Sequence, residues 1–118
     1  MREDVCIGHV MVPKDGADDI GRRLGEENWE AFFDCVPVPE EAWRELDRML
    51  ILDAIQRLAD GIVGRSEEAW VKRPDLLAAA CRDAFDRVSP ETRAFLVEVA
   101  GLAKAANARG SVVILAIS

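Results

Sequence analysis

Val112-Val113-Ile114-Leu115-Ala116-Ile117 is apolar at six successive positions, and β-branched side chains dominate it. Such a run reads as a strand that wants burial on both faces. A second extended segment, Val5-Cys6-Ile7-Gly8-His9-Val10-Met11-Val12, lies near the other end of the sequence. Nearly everything between them carries helical signals. The sequence therefore predicts a mainly α (α+β) fold, one domain over residues 1–118, with about five helices and short N- and C-terminal strands in a small sheet. Two strands make no independently stable sheet. The expectation that follows is an oligomer interface or strand addition at Val112, Ile114 and Ala116.

Working inward, Pro13-Lys14-Asp15-Gly16 reads as a turn. Asp18 suits the cap of a short helix through Leu24, and Asn28 the cap of another over residues 29–34. Pro37-Val38-Pro39 breaks that helix. Pro39 then suits the first turn of the longest one, predicted over 39–60, with Glu40 and Glu41 at its positive end. At 100° per residue Trp43, Leu46 and Leu50 share one stripe, while Ile51, Ile55, Leu58 and Ile62 share another turned by roughly 100°. Asp53 and Arg57 continue the first stripe, and they are read as exposed.

Residues 61–64 read as a break, followed by a short helix over 66–70 capped by Ser66. Pro74 opens a helix to about Val88 with the stripe Leu77, Cys81, Ala84 and Val88. Ser89-Pro90-Glu91 joins a cap, a first-turn proline and an acidic first turn, a strong restart signal. The helix it opens runs to Arg109, with Phe95, Val99, Leu102 and Ala106 inward. Its neighbouring side of Ala94, Gly101, Ala105 and Ala108 suits close approach of another element. Gly110 supplies the stop. One echo stands out: Glu40-Glu41-Ala42-Trp43 recurs as Glu67-Glu68-Ala69-Trp70. Two copies of four residues do not make a repeat architecture.

Half the residues are hydrophobic and 31% are charged, a globular rather than a disordered mixture. No apolar run approaches the roughly 20 residues of a membrane span. Met1-Arg2-Glu3-Asp4 lacks the basic start of a signal peptide. Cys6, Cys35 and Cys81 are odd in number and widely spaced, which argues for a reducing compartment. The expected location is cytoplasmic.

The net charge is −7, and it is uneven. Residues 1–60 hold 7 basic and 15 acidic side chains against 8 and 7 in residues 61–118. An acidic first half repels phosphate backbones and attracts basic surfaces. Direct binding of nucleic acid is not expected, because the basic residues of the second half are scattered among acids.

Catalytic and metal motifs are weak. Cys6 and His9 have C-x-x-H spacing, but on a regular strand residues three apart face opposite ways. Cys35 follows Asp34, and a neighbouring carboxylate raises a thiol pKa rather than activating it. No phosphate-binding glycine loop is present. No cofactor and no metal are expected.

The function read from the sequence is a non-enzymatic acidic interaction protein, a regulator or inhibitor that occupies a partner protein with a basic surface. A nucleic-acid enzyme is the sharper version of that partner. The expected contact residues are Asp15, Asp18, Asp19, Glu26, Glu27, Trp29, Glu30, Glu41 and Glu45. The alternatives are a homo-oligomeric scaffold assembled through the terminal strands, and a small enzyme using an unrecognised carboxylate or Cys35.

Overall fold

The apolar segment near the C-terminus becomes β5 (Val113–Ile117), the central strand of a five-stranded antiparallel sheet. The computed structural model describes residues 6–14, 24–25, 27–60 and 68–117. Along the chain come β1 (Cys6–Pro13), β2 (Phe33–Pro39), α1 (Glu40–Arg48), α2 (Ile51–Leu58), β3 (Ala59–Asp60), β4 (Glu68–Val71), α3 (Pro74–Ala84), α4 (Pro90–Arg109) and β5. Single turns of 3₁₀ helix cover Trp29–Phe32 and Phe85–Arg87. The strand order is β2-β1-β5-β4-β3.

β1 and β5 pair directly, Val10 opposite Leu115 and Met11 opposite Ile114. The terminal strands do meet, as the sequence suggested, and they run antiparallel. On its other side β5 pairs β4, with Ala69 opposite Leu115 and Trp70 opposite Ile114. Both edges of β5 are thus satisfied inside the chain, which removes the reason for expecting strand addition there.

Three expectations of helix are corrected. Residues 29–34 form only the 3₁₀ turn before entering β2, because Phe33 and Cys35 fall on one face and Val36 and Val38 alternate with them against β1. Residues 68–71 form β4 rather than a helix, since β5 needs a second neighbour; Ser66 lies outside the described residues. The helix predicted over 39–60 is two helices and a short strand. It breaks at Met49 and Leu50, where Leu50 takes a left-handed conformation (φ 60°, ψ 18°). That break explains the change of stripe. Leu50 is not core but 69% exposed, while Ile51 and Ile55 of α2 are buried. The described residues hold the four α-helices named above, and the short helix expected from Asp18 through Leu24 falls largely outside them.

All four helices pack on one face of the sheet. Val10, Val12, Val36, Val38, Ala69, Val71, Val113 and Leu115 meet Leu46, Leu77, Leu96 and Val99 there. Each fully buried leucine contributes about 1.5–3 kcal/mol of hydrophobic stabilisation. The stripe read on 74–88 is buried throughout. On α4 the close-packed small residues are Ala100, Ala103 and Ala106; Ala94, Gly101 and Ala108 face outward instead. Asp53 and Arg57 are exposed as expected.

Ser89 caps α4 by accepting a hydrogen bond from the Thr92 amide, and Gly110 closes it in a left-handed conformation (φ 64°). The Ser111 amide then bonds the Ala106 carbonyl, and the Gly110 amide that of Asn107, the pairing of a Schellman ending. Arg109, in the last turn, donates to the Pro13 carbonyl and to Asp34, each at 3.0 Å, tying α4 to β1 and β2. No helix among the described residues is long and apolar enough to cross a membrane.

Candidate functional site

The sheet face opposite the α-helices gathers the residues with recognition chemistry. Its geometry starts at Gly8. Between the pairs Cys6–Pro39 and His9–Pro37, β1 carries one more residue than β2, a β-bulge. A Cβ on Gly8 would stand 2.1 Å from the Ala116 carbonyl oxygen, so only glycine lets β5 pass this close. The extra residue also resets the alternation. Ile7 joins the main core, whereas Cys6 and His9 both fall on the opposite face. The expectation that these two point apart assumed a regular strand, and the bulge overturns it.

On that face His9 and Met11 lie beside Cys35 of β2 and Ala116 of β5. Trp29 stands over them. Its ring meets His9 edge-on, with centroids 5.6 Å apart at 68°, and tilts against Phe33 at 6.5 Å. The 3₁₀ turn that carries it is held by hydrogen bonds from the Ala31 amide to the Asn28 carbonyl and from the Lys14 amide to the Phe32 carbonyl, both 2.9 Å. His9, Met11, Leu24, Trp29 and Ala116 line an open hollow of about 150 Å³. Trp29 is half-buried, and Glu27 and Glu30 on either side of it are exposed. An aromatic body fixed against a sheet, with carboxylates at its rim, is suited to a partner that offers an apolar contact bordered by positive charge.

Two of the three thiols, Cys35 and Cys81, are not poised for attack. Burial pushes the Cys35 pKa up, and the carboxylates of Glu30 and Asp34 add to it, with only Lys14 acting the other way. Cys35 Sγ donates weakly to the Phe33 carbonyl at 3.7 Å. Cys81 is buried in the core, where desolvation takes its pKa up to about 12. Both environments stabilise the neutral thiol over the thiolate nucleophile. Among the described residues no three His, Cys, Asp or Glu side chains stand close enough together to hold a metal ion.

The remaining expected contact residues separate. Asp15, Asp18, Asp19 and Glu26 lie outside the described residues. Glu41 is exposed on α1, in the helical layer and across the sheet from Trp29. Glu45, also expected as a contact residue, is half-buried and engaged by the start of α4. Its carboxylate accepts hydrogen bonds from the Ser89 amide (2.8 Å), the Ser89 hydroxyl (2.7 Å) and the Thr92 hydroxyl (2.6 Å). Those donors, foremost Thr92 and then Ser89, hold its pKa below the usual value, and Arg48 adds to the effect. The carboxylate thus sits at the positive end of the 20-residue α4. An open groove of about 750 Å³ runs beside it, lined by residues of α1 and the start of α4.

Of the residues expected at an oligomer interface, Ile114 is fully buried within this chain against Met11 and Phe33, while Val112 and Ala116 are half-buried around it. Trp29 is legible in the sequence as a contact residue, but neither its contact with His9 nor the bulge is. Only the position of Gly8 inside a strand hinted at the latter. Compared with known proteins, this chain matches no family model, no curated protein and no solved structure.

Proposed function

We propose that this protein is a non-enzymatic interaction protein, a regulator or inhibitor that binds a basic surface of a partner protein. One observation supports the reading above others: Trp29 is fixed half-buried over His9 while Glu27 and Glu30 beside it remain exposed. Trp supplies contact area at small entropic cost, and the acidic rim steers and orients a positive partner. The sheet edges offer less. β2 carries Pro37 and Pro39, which lack amide donors, and β3 is two residues long. Edges of that kind resist strand addition.

Within this class the partner we favour is a nucleic-acid enzyme, whose basic groove the acidic half of the chain would occupy in place of a phosphate backbone. The test compares the wild-type protein with Trp29→Ala and with the double variant Glu27→Lys/Glu30→Lys, each used to capture partners from nuclease-treated lysate at low and high salt. The expected result is one basic protein at near-equal stoichiometry, released at high salt and weakened at least about tenfold by the charge reversal. Added DNA should compete with it. Retention that ignores both salt and the two variants would sink the reading.

A further inference from the structure

The hollow beside Trp29 selects among the groups a basic partner can present, and that selection rests on the function proposed above. Its volume, about 150 Å³, lies well below the roughly 300–1,000 Å³ of a small-molecule pocket. A space of that size takes one side chain rather than a nucleotide or a cofactor. Met11, Leu24 and Ala116 line it with carbon and sulfur, Trp29 with an indole, and His9 with an imidazole, which when neutral keeps one acceptor nitrogen. Among the described residues no carboxylate lines the hollow.

Negative charge stands at its edge instead. Glu30 follows Trp29 in the 3₁₀ turn and is exposed. Its carboxylate is near enough to Cys35, on this face of the sheet, to disfavour the thiolate there, with Lys14 acting against it. The indole also keeps a stacking position. The His9 and Phe33 rings meet it at 68° and 56°, so neither lies flat on it. An aromatic ring within and a carboxylate at the rim call for a group that is planar and positive. The guanidinium of arginine is weakly hydrated, stacks on aromatic faces and carries its donors around its edge. The ammonium of lysine is compact and strongly hydrated, and it would shed water to reach the indole with one acceptor in return. An apolar side chain would fill the hollow and leave Glu30 unanswered.

We propose that the hollow receives one arginine side chain of the partner, its guanidinium stacked on Trp29 and its N–H edge turned toward Glu30. Arginine is also the residue that proteins set against phosphate, which agrees with a partner whose groove ordinarily holds nucleic acid.

Blocked tripeptides with arginine, lysine or citrulline between two glycines isolate the side chain, since citrulline keeps the shape of arginine without its charge. Each is titrated to about 20 mM into the isotope-labelled full chain, following by NMR the amides of His9, Met11 and Ala116 and the Trp29 indole N–H. The arginine peptide should shift these signals together and saturate with a dissociation constant on the order of 1 mM. Lysine should bind about threefold more weakly and citrulline about tenfold. Glu30→Gln, a change at an exposed position, should weaken the arginine peptide about threefold and leave citrulline unchanged. Citrulline or lysine binding as tightly as arginine overturns the proposal. So does the absence of a saturable shift at these signals. The function proposed above fails separately: capture of a salt-released basic partner without an arginine-selective response removes only the arginine, and an arginine-selective response without such a partner removes only that function.

Discussion

Glu45 and Ser89, 44 residues apart in sequence, are joined twice: the amide and the hydroxyl of Ser89 both donate to the Glu45 carboxylate. Ser89 is at the same time the N-cap of α4. One carboxylate on α1 therefore fastens the start of the longest helix, and Thr92, 2% exposed, completes the set. A side chain counted among surface acids acts as a clasp between two elements of the core.

Glu45→Ala should destabilise the fold by about 1–3 kcal/mol, because it removes the acceptor shared by the Ser89 amide, the Ser89 hydroxyl and the Thr92 hydroxyl. Glu45→Gln keeps an acceptor oxygen and loses the charge, so its cost should be smaller. Urea unfolding midpoints of the two variants and wild type, with unchanged slopes, would check the order. Equal stability of all three would show that the clasp contributes nothing.

The same clasp predicts a pH dependence. Thr92 and Ser89 hold the folded pKa of Glu45 below its ordinary 4.5. A depressed folded value means the stabilisation is complete above the unfolded pKa and is lost as pH falls through the folded one. The stability difference between wild type and Glu45→Gln should therefore be constant near neutrality and shrink below about pH 4.5. Thermal midpoints of the pair from pH 7 to pH 3 measure it; a gap that widens in acid contradicts the assignment.

Gly8→Ala places a Cβ 2.1 Å from the Ala116 oxygen and 2.8 Å from the Ile117 Cα, against backbone that cannot step aside. The expected cost is about 3 kcal/mol or more, since either the bulge or the β1–β5 pairing has to give. Gly101→Ala is the control. No atom comes within 4 Å of a Cβ there, and the helix should gain up to about 1 kcal/mol. Circular dichroism melts of both variants decide the matter.

Cysteine labelling should follow burial. Cys6 is exposed, Cys35 half-buried and Cys81 buried. At pH 8 a maleimide should modify Cys6 within minutes, Cys35 more slowly because burial and Glu30 raise its pKa, and Cys81 only in denaturant. Peptide mapping after timed quenching reads the order. Rapid native labelling of Cys81 would place it outside the core.

What the sequence by itself determined is whatever depends on neighbours along the chain. Ser89-Pro90-Glu91 and Gly110 bracket α4 because capping donors and a left-handed stop act within one turn. Leu77, Cys81, Ala84 and Val88 were identified as core by spacing alone. β5 was legible as a strand buried on both faces, and its pairing with β1 followed from there being no other strand in view. The candidate site was legible only as Trp29 and its acidic neighbours.

Tertiary structure decided the rest. The string Glu-Glu-Ala-Trp opens α1 at 40–43, yet in its second copy Glu68-Ala69-Trp70 lies in β4. Local propensity is the same in both places. The difference is that β5 lies alongside the second copy, where Ala69 meets Leu115 and Trp70 meets Ile114, and ladder hydrogen bonds with burial on two faces outweigh a weak helical preference. The bonding of Glu45 to Ser89 and Thr92, the bulge that brings Cys6 and His9 to one face, and the strands β2 and β4 share that origin. Each depends on a partner distant in sequence, and contact across such a distance leaves no periodicity to read.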